Sequence, residues 1–248
     1  MNSEKNPCAL LDDITTDIPI YLTSEDFHST WTNSKAIELA GITKETTVEN
    51  RIIEMTEDGR FKGIFRDDAS GLVASGCSDY ETEEYKTAIE QYFKDSYKYG
   101  LAGGLDALSE VDSNSYTAYL QLEEEGKLPV YAGQAISSGE DNTFETAAET
   151  LGKIQALPEH ERVKIKTLKI FMDGVVEGTT AALTEPYDKE AGLPAGYMGE
   201  PMWSQEELNK TVALADSMKI QVHVHAIGDM ASKMRQTHLN MPQSSTVQ

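Results

Sequence analysis

The stretch from Val163 to Thr180, VKIKTLKIFMDGVVEGTT, constrains this chain more than any other, because it sets a lysine inside an otherwise apolar run. Lys169 lies between Leu168 and Ile170, with Phe171 and Met172 next and Asp173-Gly174 as a turn signal. The run reads as a buried strand opening into a turn, and alternation puts Lys169 on one face with Thr167, Phe171 and Asp173. Leu168, Ile170 and Met172 take the other face. If both faces are covered, as in a parallel sheet wrapped by helices, the lysine points inward and must be paired, neutralised or modified. The competing reading is an edge strand whose lysine snorkels to water.

A second apolar run, Ile220 to Ala226, favours the first reading. It ends in Ile227-Gly228-Asp229 and carries His223 and His225 on one face, opposite Val222 and Val224. Two strands that each end with an inward basic group and a glycine-containing turn suggest a site at the strands' C-terminal ends, where Lys169 and His225 converge.

Composition excludes several classes. Forty-two acidic against 21 basic residues give a formal charge of −21, which repels nucleic acid and anionic membrane surfaces. The N-terminal residues lack the apolar core of a signal peptide, and no apolar run is long enough to span a bilayer, so the expected location is the cytoplasm. Two cysteines, Cys8 and Cys77, rule out a disulfide framework or a cysteine-rich metal site.

Residues 1–79 read as a small α+β module. Pro19 to Leu22 is a strand candidate, Asn33-Ser34 caps a helix through Leu39, and Ile52 to Met55 and Phe61 to Phe65 flank the turn signal Glu57-Asp58-Gly59. From Tyr80 the pattern becomes regular. Helices are expected over residues 83–99, 115–125, 143–157 and 204–218, and strands over 101–108, 128–136 and the two runs above. This alternation predicts an α/β fold with a parallel sheet and crossover helices. No glycine-rich phosphate loop follows any strand, so a (β/α) barrel is favoured over a nucleotide-binding sheet. A closed barrel needs eight strands.

Three motifs resemble a known family. Ser24 to Ala36, SEDFHSTWTNSKA, is similar to the S-x-D-G-H-x-x-W-x-N-S-x-A signature of the amidohydrolase family that includes N-substituted formamide deformylases, departing at Phe27, where relatives carry glycine. Lys169 to Gly178 resembles the family's K-x-F-x-D-G-V-x-E-G strand, and His223 to Asp229 its H-x-H-A-I-G-D strand. The resemblance runs from about Pro19 to Ala231. It implies a metal-dependent hydrolase on a partial TIM-type barrel, about strands two to five of eight, with residues 1–79 as an inserted module near the site, 80–231 as the partial barrel and 232–248 as a polar tail.

The implied chemistry is hydrolysis of an amide or formamide C–N bond in a small-molecule substrate, at a divalent metal, zinc by preference. Lys169, carboxylated, and His225 are the implied metal ligands. His223 and Asp229 would support them from behind, with the core and the cap of the next helix as their alternative roles. His28, Trp31 and Asp173 would meet the substrate, although Trp31 can equally be packing and Asp173 can hold the turn. Relatives also carry an H-x-H pair on the first strand, a sixth-strand histidine and an eighth-strand aspartate that acts as the base; none has a counterpart here. The expectation is therefore a truncated hydrolase, or a non-catalytic remnant that binds or interacts, with open barrel edges prone to self-association.

Overall fold

The computed structural model describes residues 6–25, 29–46, 52–66, 68–74, 79–139, 142–191 and 193–239. The chain divides into two compact units at Asp79 and Tyr80.

The first unit is built on a four-stranded antiparallel sheet in the order β1-β2-β4-β3, formed by β1 (Tyr21–Thr23), β2 (Ser29–Thr32), β3 (Ile52–Met55) and β4 (Phe61–Arg66). Three short helices accompany it: α1 (Pro7–Asp12), α2 (Ser34–Leu39) and α3 (Asp68–Ala74). Cys8, Ile37, Ile42, Phe65, Ala69 and Val73 form its core. Asn33 is wholly buried and satisfied at both ends. Its Oδ1 accepts from Ala36 N at 3.0 Å, capping α2, and from Ile20 N at 2.9 Å, while Nδ2 donates to Thr15 O and Ile18 O. One residue thus starts a helix and pins the segment leading into β1. Gly63 has φ +74°, and a Cβ there would sit 2.3 Å from Thr32 O, so only glycine lets β4 pass this close to β2.

The second unit holds a curled parallel half-barrel sheet in the order β5-β6-β7-β8. Its strands are β5 (Gly103–Ser109), β6 (Tyr131–Ser137), β7 (Val163–Phe171) and β8 (Gln221–His225), joined by crossover helices. α4 (Thr82–Ser96) precedes β5, and α5 (Asn114–Glu124), α6 (Phe144–Ala156) and α7 (Gln205–Ser217) follow β5, β6 and β7 in turn. Ser204 caps α7, its Oγ accepting from Glu207 N at 3.2 Å and donating to the Glu207 carboxylate at 2.8 Å. The helix-facing core joins Ile136, Leu168, Ile170 and Met172 from the sheet to Leu122, Leu151, Ile154 and Leu208 from the helices. α8 (Asp229–Leu239) follows β8 and continues through residues 232–239, the first part of the stretch set apart above as a polar tail.

A bulge in β7 decides which way its side chains point. Gly133 pairs with Lys164, but Ala135 pairs with Thr167, so β7 advances three residues while β6 advances two. Val163 and Ile165 lie in the helix-facing core before the bulge, and Leu168 and Ile170 lie there after it. Strict alternation from Val163 would have sent Lys169 into that core. The extra residue turns it to the inner face of the half-barrel.

Candidate functional site

The parallel register lines up Ser137, Lys169 and His223 across β6, β7 and β8, and Phe171 with His225 one step nearer the C-terminal ends. Lys169 is 7% exposed, which removes the edge-strand, snorkelling reading, since β7 is an inner strand. Among the described residues no carboxylate pairs with its ammonium. Its company is aromatic, with Nζ 4.7 Å from the centre of the Phe171 ring. Burial lowers the Lys169 pKa from its ordinary value. The same holds for His223, where burial and then the nearby Lys169 charge disfavour the imidazolium. Burial therefore disfavours the charged form of both basic groups in register.

His225 is oriented by two contacts. Its ring lies 5.2 Å from that of Phe171, tilted by 43°, and its Nε2 is 2.9 Å from Gly174 O. A carbonyl only accepts, so Nε2 is the donor in this bond, and in the neutral ring Nδ1 carries the lone pair. Phe171 stands between Lys169 and His225, touching both. His223, which sequence spacing set one pleat deeper than His225, is the histidine level with Lys169.

Asp173 is completely buried and joins the loops that follow β7 and β8. Its Oδ1 accepts from Ile227 N at 2.9 Å, and its Oδ2 from Gly228 N at 2.7 Å and Ala182 N at 2.8 Å. Asp229 makes the next stitch: its Oδ1 accepts from Thr184 N at 2.8 Å and its Oδ2 from the Thr184 hydroxyl, which holds its carboxyl below the usual range. Glycines allow the loops to come this close. A Cβ on Gly228 would lie 1.9 Å from Ala182 O, and one on Gly174 would lie 2.0 Å from Thr180 Oγ1. In the first unit, Trp31 donates its indole N–H to Pro7 O at 3.0 Å, tying β2 to α1. His28 lies outside the described residues.

The long loop between β7 and α7 is organised by signals that spacing did not single out. Tyr187 stacks on Tyr197 at 6.0 Å and donates its hydroxyl to Ala181 O at 2.9 Å. The glycine- and proline-rich composition of residues 185–201 pointed to a loop without indicating this internal packing.

A model of the amidohydrolase family matches residues 4–240. The chain belongs to the amidohydrolase family. The exoenzymes regulatory protein AepA of Pectobacterium carotovorum subsp. carotovorum is 26% identical over 226 residues, which cover 90% of this chain and 47% of that protein. An N-substituted formamide deformylase of Arthrobacter pascens is 25% identical over 241 residues, 93% of this chain and 42% of the enzyme. The crystal structure of an uncharacterized metal-dependent hydrolase from Pyrococcus horikoshii OT3 shares the fold, with a TM-score of 0.66 at 22% identity over 95% of this chain and 44% of that one. The chain thus spans less than half the length of each amidohydrolase relative it matches here.

Among the described residues no three histidine, cysteine, aspartate or glutamate side chains cluster as a metal site. A catalytic zinc takes three protein ligands and an open position. Among the described residues the inner face of this amidohydrolase half-barrel offers two imidazoles and an amine, and the buried carboxylate of Asp173, just after β7, is committed to backbone N–H groups. The donors among the described residues do not by themselves complete a catalytic metal centre.

Proposed function

We propose that this chain carries one part of a hydrolytic centre acting on an amide or formamide C–N bond, with Lys169 and His225 as its contribution to a divalent metal site, zinc by preference. The single observation that carries the reading is Lys169 itself: a buried lysine without an anionic partner among the described residues, in register with His223 at the C-terminal end of a parallel strand. Burial that lowers its pKa enlarges the neutral amine fraction, the form that combines with carbon dioxide. The nitrogen lone pair forms the N–C bond, one proton leaves, and a carbamate anion results. That anion would convert a non-ligand into an oxygen ligand for a hard or borderline cation. The tautomer set by Gly174 O leaves His225 Nδ1 as the matching nitrogen donor. Asp173 and Asp229 hold together the segments that follow the two strands carrying these groups. The likeness to the formamide deformylase supports the choice of bond.

The incomplete donor set favours a second reading, an amidohydrolase portion that binds without turning over. Both are tested on the purified chain by elemental analysis for Zn, Fe and Mn, by 13C NMR after exposure to 13C-bicarbonate, and by assay against a panel of formamides and simple amides. The partial-centre reading expects a carbamate signal that Lys169→Ala abolishes, metal well below stoichiometric, and turnover near background. Stoichiometric metal with chelator-sensitive, Lys169-dependent turnover would overturn it in favour of a complete centre. No carbamate and no metal would leave the non-catalytic reading.

A further inference from the structure

On the opposite side of the sheet from Lys169, a cavity of about 210 Å³ lies between β5 and the helices α4 and α5. Asp106 from β5 faces into it, with Tyr92 and Phe93 of α4, Tyr119 of α5 and Leu105 around it. Asp106 is half-buried, and among the described residues no lysine or arginine pairs with it; it accepts a hydrogen bond from Leu108 N at 3.3 Å. Burial raises the pKa of Asp106, and burial together with the Asp106 charge pushes the Tyr119 phenol up to about 12. A half-buried carboxylate at the wall of an aromatic-lined cavity, with no cationic partner among the described residues, favours a cationic occupant.

We propose that this cavity binds a small primary ammonium ion bearing an apolar group about the size of a benzene ring, with Asp106 as its counter-ion. An uncompensated carboxylate selects positive charge, and the faces of Tyr92, Phe93 and Tyr119 attract it as well. A primary ammonium brings three donors and no acceptor, which suits the carboxylate and the phenol oxygen. Size agrees, because a dry cavity of about 150 Å³ already admits benzene. Entry is open from solvent past Tyr92, which is 63% exposed, and Leu101.

The test is calorimetric titration of the whole chain with benzylammonium chloride at neutral pH, with benzyl alcohol as the neutral match. Saturable one-to-one binding of the cation is expected, with benzyl alcohol at least ten-fold weaker. Asp106→Asn, checked for native circular dichroism, should weaken the cation at least ten-fold, whereas Lys169→Ala leaves it unchanged because Lys169 faces the other side of the sheet. Amide shifts in the wild-type chain should map to Gly103, Gly104 and Tyr119, a readout that does not depend on the variant folding. Absence of saturable binding, equal binding of the alcohol, full binding by a folded Asp106→Asn chain, loss of binding in Lys169→Ala, or shifts elsewhere would each overturn the proposal. None of these outcomes bears on carbamate formation at Lys169.

Discussion

Lys169 and His223 stand directly opposite each other on adjacent parallel strands, both turned to the inner face and both with their charged forms disfavoured by burial. Two basic side chains brought together without a carboxylate do not stabilise a fold. Their placement is a local conflict of the kind retained at functional sites and offset by the packing around them.

Relieving that conflict should stabilise the chain. Lys169→Met keeps the length and apolar stem, removes the desolvated ammonium, and is expected to raise unfolding stability by about 1 kcal/mol while abolishing any carbamate signal. Urea denaturation of both chains measures it. A loss of stability of similar size would mean that the ammonium is better solvated or paired than its surroundings indicate.

Asp173 should behave in the opposite way. Three backbone N–H groups, from Ala182, Ile227 and Gly228, converge on its buried carboxylate, so Asp173→Ala strands all three and is expected to cost roughly 3–5 kcal/mol. Asp173→Asn should be nearly as harmful, because its NH2 group must face at least one of these donors. A variant within about 1 kcal/mol of wild type would show that water replaces the carboxylate.

Two glycines separate close packing from helix propensity. Gly228→Ala places a methyl group 1.9 Å from Ala182 O and should destabilise strongly, by about 3 kcal/mol or more. Gly152→Ala, inside α6 with nothing within 4 Å of the new Cβ, should stabilise by about 0.5–1 kcal/mol. Thermal melts of the two variants side by side read both signs in one experiment.

Cys8 should resist alkylation. It is 5% exposed, and burial first, then the Asp12 charge and hydrogen bond, push its thiol up to about 11. A raised pKa leaves the neutral thiol below it, so at pH 8 only about one molecule in a thousand carries the reactive thiolate. Iodoacetamide followed by peptide mass spectrometry should leave Cys8 unmodified over the hour in which urea-unfolded chain reacts fully. Rapid labelling of the native chain would show that α1 opens.

Much of the second unit was legible in the residues. Helical periodicity, with the cap at Ser204, delimits α6 and α7 to within a residue or so, and the apolar runs mark β7 and β8. In the first unit α1 and α3 were not anticipated, and neither was β2. Helices of six and seven residues have too few turns to show a period, and β2 is four residues that read more readily as part of a motif. Asn33 was readable as a cap, but its further bonds to Ile20, Thr15 and Ile18 depend on where the preceding segment folds back.

By itself, the sequence determined that a lysine would sit in an otherwise apolar strand, that two histidines would share one face of another, and that both strands would end in glycine turns. Those features follow from local composition and period, which each segment carries with it. Tertiary structure alone decided that His223 rather than His225 is level with Lys169, since register between strands depends on how far each advances before pairing. It also decided that a bulge in β7 brings Val163 and Ile165 to the same face as Leu168 and Ile170, that the Lys169 face is buried, and that Asp173 faces backbone N–H groups from two distant loops. A bulge appears only when two strands are laid side by side, and a buried carboxylate takes as partners whatever donors the folded chain brings to it.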